Sequence, residues 1–165
     1  KRLKDLIWAM DLLNCQHDHV HLVIAGDGPE RGRLEQFARE AKVEDHVHFV
    51  GHLQQPSSLL QASDLVALVS EYEGQSNAIM EAIRWRVPVL VSDIPGNRDL
   101  VPDESFGWLC QVGDRIGIAK KIQAVIHDSQ SALQRAAAAQ ERLSRDFSES
   151  AMIESHIRLY RQLVP

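Results

Sequence analysis

Two glutamates eight positions apart, Glu73 and Glu81, are the residues best spaced to act on one ligand. Between them run Gly74, Gln75, Ser76 and Asn77, a sharp turn leading into a helical pattern. Gly74 permits close backbone approach, and Ser76 is a candidate N-cap. The first free N–H groups of the helix, at residues 75–78, together with its dipole, favour an anion such as a phosphate or diphosphate. Asn77 and Glu81 are four apart and share a neighbouring face. A carboxylate can accept two hydrogen bonds from a vicinal diol. Glu81 on one side of the anion site and Glu73 on the other therefore describe a ligand of diol, diphosphate and diol, which is a nucleotide sugar. The same two acids also read as a solvated helix residue and a loop residue, and spacing alone does not separate the readings.

A second candidate is GDGPERG, 26–32. Gly26 and Gly28 lie at a strand end before a helix, as in a dinucleotide-binding turn. The third glycine of that fingerprint would be residue 31, which is Arg, and the next strand ends in Gly51-His52 rather than an acid. An NAD-dependent oxidoreductase is disfavoured on both counts. His17, His19, His21, His46, His48 and His52 cluster in sequence, but no Cys or acid completes a metal-ligand spacing. They read as strand-end and edge histidines, with His52 placed to line a nucleotide pocket; no metal is expected. Cys15 and Cys110 stand in no C-x-x-C pattern and read as buried thiols in a reducing compartment.

These residues need elements to hold them. Helical periodicity marks 3–13, and 27–42 with Pro29 in its first turn and Leu34, Phe37, Ala38 and Ala41 as its stripe. A short helix is expected at 56–63 and another at 76–86, with Ala78, Ile79, Ala82 and Ile83 packing on a sheet. Three more follow at 114–127, about 129–145 and 148–163. Strands read at 19–26, 46–51, 64–70, 88–93 and 106–111. The 64–70 run, nearly unbroken in apolar character, predicts a strand buried on both faces, and a turn of helix is expected within the loop 93–101. Alternating strands and helices imply right-handed crossovers and one doubly wound parallel sheet, a Rossmann-like α/β fold. Ligands then bind at the carboxyl ends of the strands, at loops 26–29, 51–56, 71–76 and 93–98. In the last segment Met152, Ile153, Ile157, Tyr160, Leu163 and Val164 recur at helical spacing. They pack on their own domain or leave an apolar strip exposed.

The 165 residues suffice for one domain with a core, and no linker divides them. A net charge of −5 with no basic run argues against a nucleic-acid partner. No apolar stretch reaches membrane-spanning length. No secretory signal is visible, and the start at Lys1 without a Met leaves open a targeting segment ahead of it.

The segment EGQSNAIMEA resembles the E-x7-E motif of family 4 retaining glycosyltransferases of the GT-B type. GDGPERGRLEQFA, VHFVGHL, ASDLVALVSEYEG, VPVLVSDIPGNRDLV and FGWLCQVGD resemble further blocks of that family, in the same order up to Asp114. The resemblance implies the C-terminal, donor-binding half of such an enzyme, spanning residues 1–165. It implies that Glu73 lies by the transferred sugar and Glu81 at the ribose. Gly74, Gln75, Ser76 and Asn77 fall where sugar and diphosphate are held, and Gly26 and Gly28 form a wall of the donor site. KRLKDLIWA puts Lys1 at the family's active-site lysine, with Arg2 in place of its usual Gly. A positive charge there neutralises the departing diphosphate. No general base or nucleophile is evident, and the implied mechanism leaves the β-phosphate as local base. The family's Gly pair is Gly96-Asn97 here, and Asp99 stands for its Glu. The family's first strand, its companion Arg and an acceptor-binding N-terminal domain would precede Lys1. The resemblance thus implies a partner domain, a UDP- or GDP-sugar donor, no cofactor, and a cytoplasmic setting with any peripheral membrane contact made through the other half. The chain alone is expected to bind nucleotide weakly and turn over nothing. The rival of another class is a non-catalytic nucleotide- or sugar-binding module.

Overall fold

A computed structural model describes residues 1–163. Eight helices and five strands alternate along them: α1 (Leu3–Asn14), β1 (Leu22–Ala25), α2 (Arg31–Glu40), β2 (Val47–Gly51), α3 (Ser57–Gln61), β3 (Val66–Leu68), α4 (Asn77–Arg84), β4 (Val89–Ser92), α5 (Pro95–Arg98), β5 (Trp108–Cys110), α6 (Arg115–His127), α7 (Ser129–Asp146) and α8 (Glu149–Leu163). Every strand pairing is parallel. This is the Rossmann-like α/β architecture expected from the alternation, with corrections that bear on the site.

The strands form two sheets rather than one, β1-β2 and β3-β4-β5. In the second, β4 is central and buried at all four positions. Its residues alternate between two apolar clusters, because successive side chains of a strand point to opposite faces. Leu90 joins α1 and α6, whereas Val89 and Val91 join α4 and α7. The strand 64–70, expected to be buried on both faces, is half-buried along all of β3. Only one of its edges is hydrogen-bonded, to β4, so it lacks the flanking strand that would finish its enclosure.

The β1-β2 pair is covered on one face only. Leu22, Ile24, Val47 and Phe49 pack with α1 and α2, while Val23 and Val50 on the other face are 39% and 44% exposed. The chain turns at residues 18–19, which shortens the strand expected over 19–26. Pro29 sits in the turn ahead of α2 rather than in its first helical turn. Cys110 is buried as expected, and burial pushes its thiol up to about 11. Cys15 is exposed, because it caps α1 beyond the helix's apolar stripe.

No residue of α8 is buried. Met152, Ile153, Ile157, Tyr160 and Leu163 are between 44% and 68% exposed, so the exposed-strip alternative is the one realised among the described residues; Val164 lies outside them. Among the described residues no helix is long and apolar enough to cross a membrane. No group of three His, Cys, Asp or Glu there is disposed to hold a metal ion. His21 Nδ1 instead meets His48 Nε2 at 3.1 Å across β1 and β2, and His46 Nδ1 lies 3.1 Å from the Val20 carbonyl oxygen.

Candidate functional site

The carboxyl end of β3 delivers Ser70, Glu71, Tyr72, Glu73 and Gly74, and α4 begins three residues later. Ser76 has an extended backbone, and its hydroxyl accepts from the Ile79 N–H at 3.4 Å, so it caps the helix. The N–H groups ahead of Ile79 face outward from the first turn without a helical partner. Ile79, Ala82 and Ile83 are buried and anchor the helix. Ala78, expected on that face, is exposed, because its position rotates it toward the solvent side. Asn77 and Glu81 share the exposed side. The Glu81 carboxylate forms no ion pair or hydrogen bond among the described residues.

Glu73 is different. Its side chain is 13% exposed and is paired with Lys1 Nζ, contributed by the residue two before α1. Burial pushes the Glu73 carboxyl up. The hydrogen bond from Lys1, a second contribution from the Ser70 hydroxyl, and the Lys1 charge outweigh that and hold it below its ordinary value. Ser70 Oγ is buried and meets no partner of good geometry, so it is available to that carboxylate. Two residues 72 positions apart are thus brought together at the mouth of the α4 N-terminus.

A buried polar knot, which the sequence did not reveal, holds this loop. Ser70, Ser92 and Asn97 are fully buried. The Ser92 hydroxyl donates to the Ser70 carbonyl at 2.5 Å. Asn97 Nδ2 donates to the Ser92 carbonyl at 2.9 Å and to its hydroxyl at 3.0 Å. The carboxyl ends of β3 and β4 are thereby tied to α5. Gly96 lies against the same loop: a Cβ there would overlap the carbonyl oxygens of Gly74 and Glu73. Only glycine lets α5 approach the Glu73-Gly74 backbone so closely. Asp99, at the C-cap of α5, is exposed. Arg98 closes the loop's outer side on Asp93, at 2.9 Å between Nη2 and Oδ2. Its guanidinium keeps the Asp93 carboxyl below the usual range.

Gly26 and Gly28 follow β1. Gly26 has φ 113°, a backbone conformation that favours glycine, and its N–H donates to the Gly51 carbonyl at 2.7 Å. That bond sets His52, exposed just beyond β2, beside the same turn. The Gly28 N–H is taken by the Asp27 carboxylate at 2.7 Å. The structure therefore joins Lys1, Glu73 and Gly74 directly and places Gln75, Ser76 and Asn77 in the same turn. Gly26, Gly28 and Glu81 form no hydrogen bond or ion pair with Lys1 or Glu73.

A second arrangement missed from sequence lies behind Lys1. Asp5 is 2% exposed, on the face of α1 that carries Ala9 and Leu13. A carboxylate on an apolar stripe needs a partner, and that signal was available in the helical spacing. The partners are Arg2 and Arg115.

The family model described as "Glycosyl transferases group 1" matches residues 1–142. Among curated proteins, the chain is similar to N-acetyl-alpha-D-glucosaminyl L-malate synthase of Bacillus anthracis, at 28% identity over 97% of this chain and 42% of that one. It is also similar to glycogen synthase of Mycobacterium tuberculosis, at 32% identity over 97% of this chain and 39% of that one. Among solved structures it resembles a Staphylococcus aureus TarM mutant in complex with Fondaparinux, alpha-GlcNAc-glycerol and UDP. The TM-score is 0.91 at 25% identity, over 97% of this chain and 33% of that one. Anabaena HepE in complex with UDP and glucose gives a TM-score of 0.88 at 26% identity, over 98% of this chain and 45% of that one. The chain spans about two fifths of the length of these curated relatives.

Proposed function

The chain belongs to the glycosyl transferases group 1 family, and from that premise we propose that it is the donor half of a retaining hexosyltransferase. It binds a nucleotide-diphosphate sugar across the 73–82 segment, and the whole enzyme passes the hexosyl group to a glycan, polysaccharide or lipid acceptor. The observation that carries this reading is the pairing of Lys1 with Glu73 at the free N-terminus of α4. One small region thus holds a cation, a carboxylate and a row of N–H donors, the three groups a diphosphate-linked sugar requires. The UDP held by the TarM and HepE structures supports a uridine donor.

The division of labour we assign joins this arrangement to the roles that the family resemblance implies. The α4 N–H groups and Lys1 receive the diphosphate and stabilise its charge as the bond to the sugar breaks. Glu73 orients sugar hydroxyls, and Glu81, unpaired on the outer side of α4, takes the ribose diol. The turn at Gly26 and Gly28, with His52, forms the wall toward the base. The family resemblance implies a reaction without a protein nucleophile, in which retention rests on positioning, with the departing β-phosphate as local base. The reaction needs no metal or cofactor. We place it on the cytoplasmic side, and it requires an acceptor domain beyond these residues. The chain alone binds donor weakly and transfers nothing.

Calorimetric titration with UDP-, GDP- and ADP-sugars tests binding, and the anomeric configuration of the product, read by NMR, tests retention. In the full-length protein, with its acceptor domain, Glu73→Gln is expected to lower transfer by about a hundredfold or more, the scale of losing a transition-state contact, with a folded protein and measurable nucleotide binding. Undiminished transfer by that variant would leave a binding module as the reading.

A further inference from the structure

We propose that Arg2, held by the Asp5 carboxylate that Arg115 also pairs, is a positioning residue that sets Lys1 against the donor diphosphate. The inference rests on the donor-site reading of Lys1 and deepens it.

Lys1 is 62% exposed along its side chain, precedes α1 and pairs with Glu73, and the residue that links it to the helix is Arg2. That neighbour has φ 55° and ψ 33°, the left-handed conformation, at a residue with a Cβ. Such a backbone is disfavoured for all but glycine and persists where the surroundings enforce it.

The enforcement is visible. Arg2 Nε lies 2.6 Å from Asp5 Oδ2, and Arg115 Nε lies 2.8 Å from Asp5 Oδ1. The Asp5 side chain is 3% exposed, so its charge is buried between two guanidinium groups, one at each end of the carboxylate. A buried carboxylate is tolerated only when so paired, and losing either partner leaves the charge uncompensated. The Asp5 N–H also donates to the Arg2 carbonyl at 2.9 Å, fixing the Arg2 backbone at the head of the helix. Arg2 Nη1 reaches Glu71 at 3.7 Å, on the same loop as Glu73. On its far side is Gly113, φ +80°, where a Cβ would stand 2.9 Å from Arg2 Nη2.

Three places therefore converge on the Arg2 side chain, namely Asp5 at the head of α1, the turn at Gly113 and Glu71 of the loop that carries Glu73, while Arg115 at the start of α6 braces Asp5 from its other oxygen. None of these contacts is needed to bury apolar surface. Their common consequence is the direction of the Arg2 backbone, and the residue this direction aims is Lys1. The Arg2 guanidinium is engaged with Asp5 and Glu71, so its part is to act through Lys1.

The test is a double-mutant cycle in nucleotide binding. UDP, GDP and ADP are titrated against the protein with UMP, GMP and AMP as controls, and the pair that the unsubstituted protein binds is carried forward. Only the diphosphate presents a β-phosphate to Lys1. Arg2→Gly, which suits a left-handed backbone, should weaken diphosphate binding by about fivefold or more and leave monophosphate binding within about twofold. In a Lys1→Ala background the same substitution should add nothing, the non-additivity expected of residues acting as a unit. Arg2→Lys, which keeps a charge but not the fork, should repeat the pattern and serves if Arg2→Gly fails to melt cooperatively. Equal losses for diphosphate and monophosphate, or a full effect of Arg2→Gly without Lys1, would overturn the positioning role. If the unsubstituted protein binds none of the diphosphates, the donor-site reading itself fails, and the inference with it.

Discussion

The two sheets carry the two turns to which the donor site is assigned, and they are built differently. The β3-β4-β5 sheet has helices on both faces, with β4 buried throughout and the Ser70-Ser92-Asn97 knot joining its strand ends to α5. The β1-β2 pair has helices on one face, and its other face carries exposed Val23, Val50, His21 and His48. The groups assigned to charge and sugar, Glu73 and the head of α4, stand on the enclosed sheet. The turn assigned to the base, Gly26 to Gly28, stands on the open one. Charge stabilisation demands fixed geometry, and fixed geometry comes from close packing with satisfied buried polar groups.

That contrast can be broken by experiment, and the largest effects belong to the enclosed sheet. Leu90→Ala, in the centre of β4, should cost about 3 kcal/mol of unfolding free energy by denaturant titration, as for a large-to-small change with no room to collapse. Gly96→Ala should cost about 2 kcal/mol, since the added methyl must push backbone away at Gly74. It should lower donor affinity as well, because the backbone displaced is that of the site.

A smaller effect separates the Lys1–Glu73 pair from its surroundings. The Glu73 carboxyl lies below its ordinary value of 4.5 in the folded chain. The stability it contributes is then fully present above the unfolded value and is lost as pH falls through the lower folded value. The stability difference between the unsubstituted protein and Glu73→Gln should therefore hold from pH 7 to about 5 and shrink below that. A difference that instead grows on acidification would contradict the pairing. The smallest effect belongs to the open sheet. Gly28→Ala meets nothing within 4 Å, and its melting should match the unsubstituted protein to within about 0.5 kcal/mol.

Much of the architecture was legible because periodicity is local. The amphipathic stripe of α1, the Ser76 cap of α4 and the long helices α6 and α7 follow from spacings of three and four residues. The Glu73-to-Glu81 segment could be placed on a strand end and a helix start for the same reason. The split of the sheet was not legible, since an apolar run such as 64–70 looks the same whether its strand has one neighbour or two. Ser70, Ser92 and Asn97 were passed over because short polar residues read as loop residues until their burial is known.

The sequence by itself determined the alternation of strands and helices, the carboxyl-end loops and the residue types gathered in them, because each depends on neighbours within about two turns of chain. The tertiary structure alone decided that Lys1 meets Glu73 across 72 positions, that Gly96 touches the Gly74 backbone, and that Asp5 lies between Arg2 and Arg115. Those contacts join separate elements, and their existence depends on how the helices pack on the two sheets, a property that no local spacing carries.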